Sequence, residues 1–198
     1  MCCVVRFWGD VKEWPPPVGV ARPTHCPKCH GPAFAGAKVM LHGHGRVSRQ
    51  QRGPASPETA PVGASVLVRR YECQYADCRT IVRVLPAAAQ VFKHFSGAAI
   101  GMALSLWGVV GLSAGQVRDR VSDWRVRGAG ARGWKSLGRW SGDVLTGRLF
   151  AELRLRSLPV DACAIAGAAA IALCGHAPPA MRSGPIEHQS FIGACPVR

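Results

Sequence analysis

Apolar and β-branched residues cluster in short runs over the first ninety positions and then change rhythm. The runs Cys2 to Trp8, "AKVML" at 37–41, "ASVLVRRYE" at 64–72 and "TIVRVL" at 80–85 predict strands. "PPP" at 15–17 stops any regular element. A polar, Pro- and Gly-rich stretch at 47–63 reads as a mobile loop inserted between two strands. From about 95 the apolar spacing becomes helical. Ile100, Ala103, Leu104 and Trp107 recur at i, i+3, i+4 and i+7, behind a capping Ser96. Ser113 and Gln116 form a capping-box pattern that opens a helix over 114–125, with Val117, Val121 and Trp124 on its apolar side. The segment "VRGAGARG" at 126–133 reads as a loop. A helix over 134–143 follows, with Leu137, Trp140 and Val144 on one stripe, which Leu145, Leu149 and Leu153 continue. An Ala-rich helix at 162–174 and a loosely ordered tail complete the chain.

This pattern gives an α+β fold in four parts. Residues 1–22 form an N-terminal extension, and 23–88 a small β module carrying the 47–63 insert. Residues 95–158 form a helical domain of helix-turn-helix type, and 159–198 an Ala/Pro-rich C-terminal piece. The uncharged run from Gly97 to Val117 is long enough to span a bilayer. Its glycines, its serines and a natural break at Gly111 argue for a buried helix instead. The first residues lack a basic start followed by a long apolar run, so no secretory signal is expected and the thiols stay reduced. The expected location is cytoplasmic, at the nucleoid, with no membrane partner.

Under reducing conditions the cysteine spacing carries chemistry. Cys26 and Cys29 form a C-x2-C unit, and Cys73 and Cys78 a C-x4-C unit 43 residues later. Two short turns that each offer two thiolates suit one tetrahedral Zn2+. With strands beside the second turn, the module reads as a zinc ribbon, in which the metal replaces a core too small to hold itself. Two alternatives use the same residues. With His30 the first unit is also a C-x-x-C-H haem-attachment pattern, and alone it is also a redox dithiol. The haem pattern leaves Cys73 and Cys78 without a role, and a redox dithiol calls for a βαβ setting where the flanks here are Pro, Gly and strand; two coincidental pairs of inert cysteines are the plain reading. His25, His30, His42 and His44 are close enough in sequence for one of them to replace a sulfur.

Charge adds a partner. The chain has 25 Lys and Arg against 11 Asp and Glu, a net of +14, which favours polyanions. Residues 117–156 hold ten of the bases and four of the acids. The reading assigns phosphate contacts to Arg46, Arg69, Arg70 and Arg79 of the β module and to Arg118 and Arg120 of the first reader helix. Lys135, Ser136 and Arg139 would face a groove from the recognition helix. RNA binding and a protein-docking adaptor are the alternatives, and a solvated basic face on an ordinary bundle is the plain reading of the same residues.

The segments Cys26-x-x-Cys29, His44-Gly45-Arg46, Arg70-Tyr71-Glu72-Cys73, Cys78-Arg79-Thr80 and Leu85-Pro86 resemble the zinc-ribbon region at the front of many bacterial insertion-sequence transposases. They are also similar to a group of short zinc-ribbon proteins related to such regions. The resemblance covers about residues 24–145. It implies one structural zinc, DNA binding in a mobile-element setting, and a transposase or another protein of the same element as partner. Catalysis is not expected. Strand transfer needs clustered carboxylates around two metal ions. After residue 95 only Asp119, Asp123, Asp143, Glu152, Asp161 and Glu187 are present, scattered and mostly among arginines.

Overall fold

The computed structural model describes residues 2–9, 13–87, 89–90, 93–124, 134–153, 155 and 161–195. The fold is α+β: the described residues form a four-stranded mixed sheet, a two-stranded ribbon and five α-helices. The chain forms two compact units. One holds residues 1–50 and 65–92, and the other holds 51–64 and 93–197.

The sheet is built from β1 (Cys2–Phe7), β4 (Leu41–Gly53), β5 (Val62–Cys73) and β6 (Ile81–Pro86), in the order β1-β6-β5-β4, and all of it but the hairpin end of β4 and β5 lies in the first unit. The ribbon pairs β2 (Phe34–Ala35) with β3 (Lys38–Val39). β6 runs antiparallel to β5, with Tyr71 opposite Val82, and parallel to β1, with Val5 opposite Val84. Side chains alternate across the sheet. One face carries Tyr71, Cys73, Val82 and Val84 into a core with Cys26, Ala33 and Leu41. The other face carries Val68 and Leu85, with Val4 and Val47 against them. Leu41 and Val47 are six residues apart on one strand, so strict alternation would put them on the same face. They serve opposite faces because β4 contains Gly45 at φ +76°, where an extra residue shifts the alternation as a bulge does.

Two expectations about this unit are corrected. The 47–63 insert is not a loop: β4 continues to Gly53, β5 begins at Val62, and only 54–61 lies between them. Its polar residues follow from a half-solvated hairpin rather than from missing structure. Residues 2–9 and 13–21 are likewise not a mere extension. β1 is the sheet's parallel edge strand, Ala21 is buried, and the Tyr71 hydroxyl donates to the Val18 carbonyl at 2.7 Å.

The helical unit comprises α1 (Gly97–Gly108), α2 (Ala114–Val121), α3 (Ser136–Leu145), α4 (Ala162–His176) and α5 (Ile186–Gly193). Ser96 caps α1 through the Ala99 N–H, and Ser113 with Gln116 closes a reciprocal capping box on α2, as their spacing predicted. α1 and α4 form the centre, and α5 packs on both. Trp134, Trp140 and Phe95 meet edge to face, with ring centroids 5.0–5.7 Å apart.

The predicted tail is mostly ordered. α5 buries Ser190 and Phe191, with Ala194 just beyond it. Its signal was faint because short apolar positions sit among polar ones with no clear period. α2 ends at Val121, short of the predicted 125, and Trp124 lies beyond the helix, 61% exposed rather than in the core. The stripe through Leu149 and Leu153 is not helical either. α3 ends at Leu145, and Gly147 and Phe150 take positive φ, yet Leu149, Phe150 and Leu153 are buried. The predicted loop at 126–133 lies outside the described residues. α2 packs on α1, whereas the main partner of α3 is α4. Among the described residues no helix is long and apolar enough to cross a membrane.

Candidate metal centre

The two cysteine turns meet at the end of the β4–β5 hairpin far from its tip. The Sγ atoms of Cys26 and Cys78 are 3.7 Å apart, those of Cys29 and Cys73 are 3.7 Å apart, and all four lie within 4.8 Å of one another. A tetrahedron of thiolates at about 2.3 Å from a central Zn2+ requires sulfurs about 3.8 Å apart. A disulfide requires about 2.05 Å. The cluster therefore fits a metal tetrahedron and not a pair of disulfides. Among the described residues no histidine joins this group, which removes His25, His30, His42 and His44 as replacement ligands.

The turns are built alike from different spacings. In each, the residue after the second cysteine takes a left-handed backbone: His30 at φ 58° and Arg79 at φ 46°. In the first turn the Cys26 N–H donates to the Gly31 carbonyl at 2.8 Å and the His30 N–H to the Cys26 carbonyl at 2.9 Å. In the second the Cys73 N–H donates to the Thr80 carbonyl at 3.0 Å. Its two extra spacer residues are absorbed by a turn in which the Cys78 N–H donates to the Tyr75 carbonyl at 3.0 Å. Amides also aim at sulfur: that of Gly31 at Cys29, that of Tyr75 at Cys73 and that of Thr80 at Cys78. Amides that donate to sulfur stabilise thiolates, which are the metal-binding form.

The sulfurs differ in access and acidity. Cys26 and Cys73 are fully buried, Cys78 is half-buried and Cys29 is exposed. Burial pushes the Cys73 thiol up to about 12, against the Tyr75 amide. Burial acts the same way on Cys78, but the Thr80 amide and the neighbouring sulfurs outweigh it and hold that thiol at about 7. Four thiolates around a divalent ion carry a net charge of −2. Lys28 lies beside them, with its Nζ 3.4 Å from the Cys78 carbonyl.

The residues assigned to nucleic acid are scattered and unequal. Arg46, Arg120, Lys135 and Arg139 are exposed, and Ser136 is half-buried at the start of α3. Leu137 and Trp140 point inward, as the recognition-helix reading requires. Arg79 is exposed but pairs with Glu72 at 2.8 Å and with Gln74 at 2.8 Å. Arg69 is half-buried and donates to the Pro16 carbonyl. Arg118 is a correction: it is 7% exposed and contacts Asp119 at 3.2 Å, because it falls on the packed side of the short helix α2. Three further cysteines, Cys163, Cys174 and Cys195, are half-buried in the helical unit. Cys163, Cys174 and Cys195 direct S–H toward the carbonyls of Trp107, Ile186 and Phe191.

The pairing of the two cysteine units into one cluster was readable from spacing alone. The supporting amides and the left-handed residues were not, since neither His30 nor Arg79 is the glycine that such a position favours. Comparison with protein-family profiles, curated proteins and solved structures finds no match to this chain.

Proposed function

We propose that Cys26, Cys29, Cys73 and Cys78 hold one structural Zn2+, and that the ribbon so organised belongs to a non-catalytic nucleic-acid-binding protein with DNA as its first target. The observation that carries the reading is the near-tetrahedral sulfur separation of 3.7 Å between two like-built turns. Zinc supplies the cross-link that a small sheet core lacks. The net charge of +14 supplies attraction to phosphate. The exposed Lys135, just before α3, and Arg139 on α3 support a contribution from the helical unit. α2 and α3 pack mainly on other helices, so a helix-turn-helix reader would here rest on α3 alone. The mobile-element setting implied by the resemblance belongs to the same reading, with a transposase or another protein of that element as a further partner.

Two measurements test it. Elemental analysis of the purified protein should give one zinc per chain, lost in Cys73→Ser and Cys78→Ser. Binding to a labelled duplex should weaken with a log–log salt slope of about −4 to −5 if roughly five phosphates are contacted. A flat salt response rejects nucleic acid and leaves the adaptor reading.

A further inference from the structure

One face of the sheet gathers arginines from all four strands. Arg70 on β5 lies directly opposite Arg83 on β6, and Arg83 lies beside Val4 on β1. Arg6, two residues further along β1, shares the Val4 face. Its guanidinium donates to the Gln90 Oε1 at 2.9 Å. Arg49 of β4 donates to the backbone carbonyl of the same Gln90, which is itself buried. One glutamine thus gathers two guanidinium groups from opposite edges of the sheet.

Like charges directly opposite across a strand pair repel. The sheet unit as a whole does not balance them, since its sequence over 1–50 and 65–92 holds eleven Lys or Arg against four Asp or Glu. The acid on this face, Glu72, is already held by Arg79 at 2.8 Å and His44 at 3.6 Å. Arg70 keeps a buried Nε without a hydrogen-bond partner. Burial, and to a lesser degree the charge of Arg83, lower the pKa of Arg49, which places the two guanidinium groups within each other's field. An arrangement that costs electrostatic energy in the free protein is relieved by an oxyanion, and guanidinium forks fit phosphate best of all.

We infer that this sheet face, centred on Arg83 and Arg70 with Arg6 and Arg49 beside them, is the main phosphodiester-binding surface of the protein. The inference rests on the nucleic-acid reading and relocates it from α3 to the sheet. The contacts are to backbone phosphates, so binding here is independent of base sequence.

The test uses the zinc-loaded full chain and fluorescein-labelled oligonucleotides of mixed sequence, with anisotropy followed against salt. Arg83→Gln and Arg70→Gln should each reduce the log–log salt slope by about one and weaken all sequences alike. Lys38→Gln, on the two-stranded ribbon of the same unit, should leave the slope unchanged. Zinc content and melting midpoint check that the variants fold. Arg83 is exposed, so Arg83→Gln decides the matter if Arg70→Gln fails to fold. If the wild type binds but Arg83→Gln keeps its slope, the surface is wrong while the nucleic-acid reading stands. If the wild type binds no oligonucleotide, both fail. If inorganic pyrophosphate at low concentration displaces the oligonucleotide, the face is a pocket for a small phosphate and the backbone assignment is overturned.

Discussion

Cys78 is the sulfur on which the chemistry of the metal-free protein should turn. Held at about 7, it is largely thiolate at pH 8, while Cys73 at about 12 stays protonated. Iodoacetamide should therefore modify Cys78 well before Cys73 once the metal is stripped, as peptide mass spectrometry would show. Zinc should protect both. Equal labelling of the two would contradict the assigned environments. The sign of the accompanying stability change follows. A pKa lowered in the folded state stabilises it above the unfolded value near 9, and that contribution fades as the pH falls through about 7. Acid thus loosens the metal-free turn and also protonates the ligands. At the neighbouring residue, His30→Gly relieves a left-handed backbone at φ 58°. It should raise stability by roughly 0.5 kcal/mol, since the αL penalty of about 1–2 kcal/mol outweighs the entropy that glycine adds. A fall in the urea midpoint would count against it. The four-cysteine cluster could be read at this scale because metal chemistry fixes the residue type and the short spacing. Acidity could not, because burial and amide direction depend on the folded turn.

Helix packing brings a sharper test. α1 and α4 cross at Gly108 and Gly167, where a Cβ on either glycine would overlap the backbone of the other. Gly167→Ala gains about 1 kcal/mol of helix propensity but must separate two packed helices, which costs about 1–3 kcal/mol. Net destabilisation is expected in a thermal melt. Gly138 of α3 faces open space, so Gly138→Ala should instead stabilise, by up to about 1 kcal/mol. Matching signs for the two variants would mean that the crossing is not as described. At α4, Asp161 accepts from the N–H groups of both Cys163 and Ala164, at 2.8 and 2.9 Å. Asp161→Ala should cost about 1 kcal/mol. Elements with caps and a steady period, α1 and α2 above all, were visible in advance. The long β4–β5 hairpin was not, because its outer face is polar and its tip contains Pro and Gly, which is also how a loop is written. α5 was missed because burial by α1 and α4, rather than its own periodicity, makes it a helix.

For the molecule as a whole, the two units draw stability from different sources. The helical unit has a broad apolar core that runs from Phe95 to Ala194. The sheet unit has two thin cores, one on each face, and four cysteines at one end. Chelation should therefore abolish amide protection in β4–β6 while the helical signal in far-UV circular dichroism largely survives. Loss of both signals together would show that the metal supports the whole chain. The sequence announced an α+β protein with strands first and helices after. It did not announce that residues 51–64 count with the helices, since that depends on contacts between segments distant in the chain.

The placement of 51–64 bears on how this protein can be divided. The Arg52 carbonyl accepts from the Ser96 N–H at 3.1 Å, the Arg52 N–H donates to the His94 carbonyl at 2.7 Å, and Gly53 sits against Ala99. A fragment beginning at residue 93 would lose these bonds at the entrance to α1. A fragment ending at 92 would keep the hairpin tip but lose everything it packs on. Neither unit is one continuous stretch of gene, so no single cut or crossover transfers either of them whole. Moving the sheet unit into a second protein means dividing the hairpin between residues 50 and 65, which makes hairpin length the feature to watch when the cysteine turns recur elsewhere.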